Sequence, residues 1–413
     1  MAPPDADAPI RRLADWDAER LRSLAAAYGT PLYVLDLDRV RANYARLEAA
    51  FADGRVLYAM KANACRAALG ALAEAGAGVE CASAGELQRA LDAGFDPAAV
   101  HYTAVNPPDR DLDRAVSLAA DRPGLTVTAG AADTVDRLEA RGYAGRLCVR
   151  VNPGVGAGHH AKVTTGDDPK FGVPYDRAGD LLADAAIRGF DVVGVHAHAG
   201  SGISGDDLAA HRELVGRMGE LARASPVDLE FVDVGGGFGV PYRPEDPPLD
   251  LDAVAAATRE ALGTVDADLV VEPGRYVVAD AGVLVTEVNT VKPVDGTVVA
   301  GVDAGMTTLL RPAMYDAYHH VRSLAPDADD RASASVTLAG PVCETADVLG
   351  RDRTLPRPSR GDLLAVGNAG AYGYEMASQY NSRPRPAEVV LEDGTARVGR
   401  RRETVADLTR LEP

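Results

Sequence analysis

The chain has 413 residues, enough for two domains with separate cores, and its 46% hydrophobic content is that of a globular protein. A formal net charge of -18 sets up a surface field that repels phosphates and anionic lipids, so nucleic acid and membrane are excluded as partners. Abundant acid, 5% aromatics and only four lysines among 43 Lys+Arg describe a salt-adapted, halophilic surface, on which screening relieves self-repulsion.

The four cysteines, Cys65, Cys81, Cys148 and Cys343, show no paired metal spacing and are too few to staple so long a chain, so a reducing compartment is expected. No opening segment joins a basic flank to an apolar stretch and a cleavage site, and no apolar run approaches ~18 residues. The expectation is a soluble, cytoplasmic protein.

In chain order, residues 1–30 carry helical text, with Leu13, Trp16, Leu21, Leu24 and Ala25 on one apolar face. Pro31–Leu35 reads as a strand. From there to about residue 285, short β-rich runs at 55–58, 78–81, 100–102, 126–128, 147–151, 192–196, 231–234 and 269–272 alternate with helical stretches rich in Ala, Leu, Asp and Arg. Parallel strands need crossover helices of this length, so eight β-then-α units predict a closed (β/α)8 barrel, with an open doubly wound sheet as the other solution. After residue 285 the text turns to Val/Thr-rich runs at 283–291, 297–302, 335–339 and 363–366, divided by Gly, Pro and Asp, which is antiparallel β text. The expected domains are a barrel at 31–285 and a C-terminal, mostly antiparallel β domain at 286–413, completed by residues 1–30.

Functional groups of a parallel barrel gather where its strands end. Lys61 follows the apolar run Val56–Met60. A desolvated lysine amine can lose its proton and condense with an aldehyde, which an arginine cannot do; the plain alternative is a strand-end lysine reaching solvent. Gly235-Gly236-Gly237 follows the run at 231–234 and serves equally for a tight turn or for N–H groups closing on a phosphate. In Glu272-Pro273-Gly274-Arg275, Arg275 can pair a phosphate and Glu272 can hold a ring nitrogen protonated, although a rim salt bridge would use the same residues. His196 and His198 flank Ala197 ahead of Gly200-Ser201-Gly202, where His198 suits stacking on an aromatic ring and Ser201 a phosphate or hydroxyl contact. The pairs His196/His198, His159/His160 and His319/His320 have no acid or cysteine at familiar ligand spacing, so no metal is expected.

Together these motifs resemble the diaminopimelate decarboxylase family, in the fold III pyridoxal-phosphate group that includes ornithine decarboxylase and alanine racemase. The resemblance runs from Thr30-Pro31-Leu32-Tyr33-Val34 through Tyr58-Ala59-Met60-Lys61-Ala62-Asn63 to Tyr380-Asn381-Ser382-Arg383-Pro384. It implies an alanine-racemase type barrel and pyridoxal 5'-phosphate as cofactor. Lys61 would bind its aldehyde, His198 stack on its ring, and Glu272 face its ring nitrogen. Ser201, Gly235, Gly236, Gly237, Gly274 and Arg275 would surround its phosphate, with Tyr372 close by.

At the substrate end the resemblance gives Arg275, Arg311, Tyr315 and Tyr372 to substrate binding, Cys343 to catalysis and Glu344 to the substrate's far end. It also implies a homodimer in which Cys343 and Glu344 come from the partner chain. The implied reaction converts meso-2,6-diaminopimelate to L-lysine and carbon dioxide, the last step of lysine biosynthesis. Ornithine-type relatives carry Cys-Asp where this chain has Cys343-Glu344, and alanine racemases place arginine where it has Glu272. Ornithine, arginine and carboxynorspermidine are the alternative substrates; a barrel that only stores cofactor would lack the β domain. Thr345, Ala346 and Thr307 depart from the family pattern, whereas Lys170-Phe171-Gly172 matches it and His160 aligns with its histidine-bearing loop.

Overall fold

A computed structural model describes residues 10–156, 168–198, 200, 201, 203, 208–294 and 296–413. His159 and His160 lie outside the described residues. The chain forms two compact units, one from the described parts of 41–239 and 247–277, the other from 10–40, 240–246 and 278–413.

The first strand, β1 (Leu32–Asp36), belongs to the second unit. The first unit is a ring of eight parallel strands: β2 (Gly54–Ala59), β3 (Gly78–Cys81), β4 (Val100–Tyr102), β5 (Thr126–Ala129), β6 (Arg146–Asn152) and, past the short β7 (Val173–Pro174), β8 (Asp191–His196), β9 (Phe231–Asp233) and β10 (Asp268–Val271). Pairing of β10 with β2 and of β5 with β6 closes the ring, which decides for the barrel over the open sheet. Helices follow the strands because the sequence signals both of their ends. At Ala84–Ala93, the Ser83 side chain accepts from Glu86 N, Glu86 accepts from Ala82 N, and Gly94 closes the helix at φ 92°. Leu87 and Ala90 are its buried face.

Alternation along the strands organises the interior. Leu57, Cys148, Val193, Phe231 and Val270 form one buried cluster, and a Cβ on Gly194 would collide with the Phe231 ring. Side chains two residues apart share a face. Arg150, His196, Asp233 and Glu272 therefore stand one step along from Cys148, Gly194, Phe231 and Val270. Register agrees, since Arg150 pairs with His196 and His196 with Asp233.

The second unit continues with β11 (Gly282–Val294), β12 (Thr297–Val302), β13 (Val321–Ser323), β14 (Ser333–Ala339), β15 (Val348–Pro356), β16 (Leu363–Val366), β17 (Ala387–Glu392) and β18 (Thr395–Arg400). Its sheet runs β15-β14-β12-β11-β1-β17-β18, with β16 against β11 and β13 against β16. Pairings are antiparallel except β1 with β17 and β12 with β14. Tyr33 and Leu284 enter one core, while Leu32, Val34, Val283 and Val285 enter another with Leu13, Trp16, Leu21 and Leu24.

Two sequence expectations change. The strand at 31–35, placed with the barrel, lies in the second sheet between β11 and β17, and the division expected at 285/286 falls at 277/278. The cause is physical: Leu32–Leu35 is buried on both faces, and an apolar run of that kind suits a central strand of any sheet.

Candidate active site

Lys61 lies in a 3-10 turn, Met60–Ala62, directly after β2. Its Nζ is 2.7 Å from Glu80 Oε2 on neighbouring β3, where Ala59 pairs with Glu80. Glu80 is buried and its carboxyl is raised by desolvation, an effect that the Lys61 charge partly offsets. A half-exposed amine against a buried acid differs from a lysine lying along solvent.

Three strand ends bring His196, Asp233 and Glu272 together, with ligand-type atoms of all three within 4.8 Å of one another. His196 Nε2 and Glu272 Oε2 are 3.1 Å apart. Burial pushes Glu272 upward, but its hydrogen-bonded contact with His196 and the positive charge of Lys61 outweigh it and hold the carboxyl below its usual range. Asp233 is driven the other way, first by burial and then by Glu272 beside it. The two neighbouring acids are thus pushed in opposite directions. Sequence spacing offers His196 no acidic neighbour, whereas folding brings two acids beside it.

His198 accepts from Gly236 N at 3.1 Å through Nδ1, which places the ring proton on Nε2. Burial and the charges of Lys61 and Arg150 push its pKa down to about 3, so the ring is neutral at neutral pH. The glycine triplet is demanded by its surroundings. A Cβ on Gly235 would lie 2.6 Å from Ala197 O, one on Gly236 would collide with Glu272 O, and Gly237 has φ 107°. Gly235 N donates to Asp233 Oδ1 and Gly236 N to His198. Those two N–H groups are thus committed within the protein.

Gly274 is packed against Ala59 and Ala62, two residues before and one after Lys61, with 3.1 Å contacts to an added Cβ. Arg275 opens the short helix Arg275–Val278, and Ser201 sits half-buried in the turn after His198.

In the second unit, Arg311 begins the helix Arg311–Tyr315 and is 2% exposed; Tyr315, at its other end, is half-buried. Cys343 and Glu344 stand on an exposed loop. Asn381 Nδ2 donates to Cys343 Sγ at 3.4 Å, and Tyr380 OH donates to Glu344 Oε1 at 2.5 Å. Cys65, Cys81 and Cys148 are buried, as packing cysteines are, so Cys343 differs from them in kind. Tyr372 is half-buried, with φ 55° in a region that a tyrosine seldom enters.

The residues fit pyridoxal phosphate. Buried Glu272 Oε1 has no hydrogen-bond partner among the described residues, a costly state for a charged oxygen, and a protonated ring nitrogen would supply the missing donor. An amine, a neutral imidazole and a glycine turn complete the donor set. Glu80, Asp233 and Arg150 were missed from sequence; each is a charge inside an otherwise apolar strand run, and that is the signal that could have found them.

A closed barrel carrying this lysine and acid constellation, followed by a β domain, defines a pyridoxal-dependent decarboxylase. Residues 37–279 match the family described as pyridoxal-dependent decarboxylase, pyridoxal binding domain. The chain is 44% identical to the diaminopimelate decarboxylase of Methanothermobacter thermautotrophicus, over 94% of this chain and 92% of the relative, and 40% identical to that of Pseudomonas aeruginosa, over 94% of each. The crystal structure of a Helicobacter pylori diaminopimelate decarboxylase mutant complexed with L-lysine superposes with a TM-score of 0.88 at 34% identity, covering 95% of this chain and 99% of that one. The chain belongs to the diaminopimelate decarboxylase family.

Proposed function

We propose that the protein decarboxylates meso-2,6-diaminopimelate to L-lysine and carbon dioxide, with Lys61 as cofactor anchor and Cys343 as the group serving the reacting carbon. The observation that carries this reading is the meeting of Lys61, Glu80, His196, Asp233 and Glu272 at the ends of adjacent barrel strands. Bound pyridoxal phosphate supplies an electron sink for the pair left on the α carbon when carbon dioxide departs.

The protein's own tasks follow. Lys61 would anchor the aldehyde, and Glu272, whose carboxyl is held below its usual range, would face the ring nitrogen and keep its proton in place. His198, kept neutral, would lie against the ring without adding a charge that competes for that proton. Ser201, Gly237, Arg275 and Tyr372 are the residues that would hold the cofactor's phosphate. Arg311, Arg275 and Tyr315 receive carboxylate, for which guanidinium geometry is suited, and Glu344 receives the distal amine. Cys343 delivers a proton to the α carbon.

A homodimer, with Cys343 and Glu344 lent to the partner's site, explains why these two residues are exposed in a single chain. A cytoplasmic location suits the three buried free thiols. Release of carbon dioxide from diaminopimelate, ornithine, arginine and carboxynorspermidine, measured side by side, tests the reading. Preference for any of the last three would overturn the substrate assignment.

A further inference from the structure

His319 is fully buried and touches Arg311. Arg311 Nη1 donates to the Tyr242 hydroxyl at 2.9 Å and lies 2.9 Å from His319 Nε2. A guanidinium can only donate, so Nε2 accepts and the ring proton resides on Nδ1. Nδ1 is 2.8 Å from the Gly367 carbonyl, which can only accept. Both contacts therefore dictate the same neutral tautomer. Gly367 is itself tied to this segment, because its N–H donates to His320 O at 2.9 Å directly after β16. Tyr242 packs edge-on against the imidazole with ring centroids 5.3 Å apart.

Both hydrogens of Nη1 are thereby aimed at fixed acceptors, which sets the plane of the guanidinium. The choice of acceptor matters electrostatically. A carboxylate in place of His319 would orient Arg311 equally well but would cancel its charge, whereas a neutral ring nitrogen orients it and leaves the charge in place.

We propose that His319 is a positioning residue for substrate selection: anchored on Gly367, its neutral imidazole aims the Arg311 guanidinium at the substrate's carboxylate. This rests on the reading of Arg311 as a carboxylate receiver. It assigns to His319 no contact with cofactor or reacting atoms, so its effect belongs in KM and not in the chemical step.

The test compares KM and kcat for diaminopimelate in the holoenzyme and in the R311A, H319N and H319Q variants, with the cofactor's absorbance and the melting temperature recorded for each. The Asn amide can keep the donor to Gly367 but loses the acceptor for Arg311; the Gln side chain can place an oxygen where Nε2 was. The expected result is a KM raised roughly 100-fold by R311A and about 10-fold by H319N, the range for a hydrogen bond to a charged group, with kcat held. H319Q is expected within about 3-fold of the parent, and H319N added to R311A should cost nothing further. Unchanged KM in H319N beside a raised KM in R311A would overturn the role of His319 alone. Unchanged KM in R311A would overturn the reading of Arg311 and this inference with it. Loss of kcat and cofactor in H319N, together with a matching fall in H319Q, would make His319 a structural residue and also overturn it.

Discussion

Lys61 and Glu80 form an ion pair 2.7 Å long across the neighbouring strands β2 and β3, with the acid end buried and the amine end half-exposed. Removing the amine leaves a buried carboxylate without its cation, a state that costs more than the pair was worth. We expect Lys61→Ala to abolish any borohydride-reducible cofactor adduct and to destabilise the cofactor-free protein by about 1–2 kcal/mol, the usual 3–5 being discounted for the exposed amine. Glu80→Gln added to Lys61→Ala should recover most of that loss in a denaturant titration. Additive losses would mean that the pair is not coupled.

Glu272 stays charged against the cost of burial, and that charge is what the proposed reaction uses. Glu272→Gln keeps the shape and removes the charge. The expected outcome is a fall in kcat of roughly 100-fold, as for loss of one preorganised electrostatic group, with the covalent adduct at Lys61 retained. An unchanged kcat would detach Glu272 from the ring nitrogen.

Exposed Cys343 and Glu344 lead to a mixing experiment. Lys61→Ala and Cys343→Ala are each expected to be inactive or nearly so. If the chain pairs as proposed, the two variants, mixed and allowed to exchange subunits, should regain about a quarter of parental activity, since half of the dimers would be hybrids and each hybrid would have one intact site. No recovery despite demonstrated subunit exchange would place both residues in the same chain's site.

His211 is buried with its Nε2 2.7 Å from the Thr258 hydroxyl, and burial pushes its pKa down to about 4. The folded pKa is below that of the unfolded chain, near 6.5, so the unfolded state binds the extra proton first. This stability is fully present above pH 6.5 and is lost as pH falls toward 4, by about 3 kcal/mol in total. Buried His101, with a pKa pushed down to about 3, acts with the same sign. His211→Gln should flatten the fall of unfolding free energy between pH 6.5 and 4; an unaltered slope would show that the imidazole titrates alike in both states.

If the acidic, lysine-poor composition is a salt adaptation, the melting temperature should climb as KCl rises from millimolar to molar, because a net charge of -18 is screened. Pairs such as Arg188 with Asp136, Glu139 and Asp184 would weaken under the same screening, but exposed pairs of this sort contribute little. A flat or falling curve would refute salt adaptation.

Much of this architecture was legible in the sequence. All eight barrel strands stand where apolar runs put them, and Lys61, Glu272 and the glycine triplet announce themselves by following such runs. What sequence did not yield was facing. Glu80, Arg150 and Asp233 are single charges within apolar strands, and only closure of the ring shows that they point inward to one another. His319 is similar: a pair of adjacent histidines suggests metal, while the tautomer that links it to Arg311 depends on a carbonyl 48 residues away. The strand at 32–36 misled because a run buried on both faces has no periodicity from which to choose a sheet.

Phe231 and Asp233 occupy one face of the same three-residue strand, as Gly194 and His196 do on the strand beside it. A one-residue slip of the whole of β9 would carry the ring and the acid to the opposite face together. Packing and acid chemistry are therefore written in a single register, and this part of the barrel can vary by substitution but not by insertion or deletion.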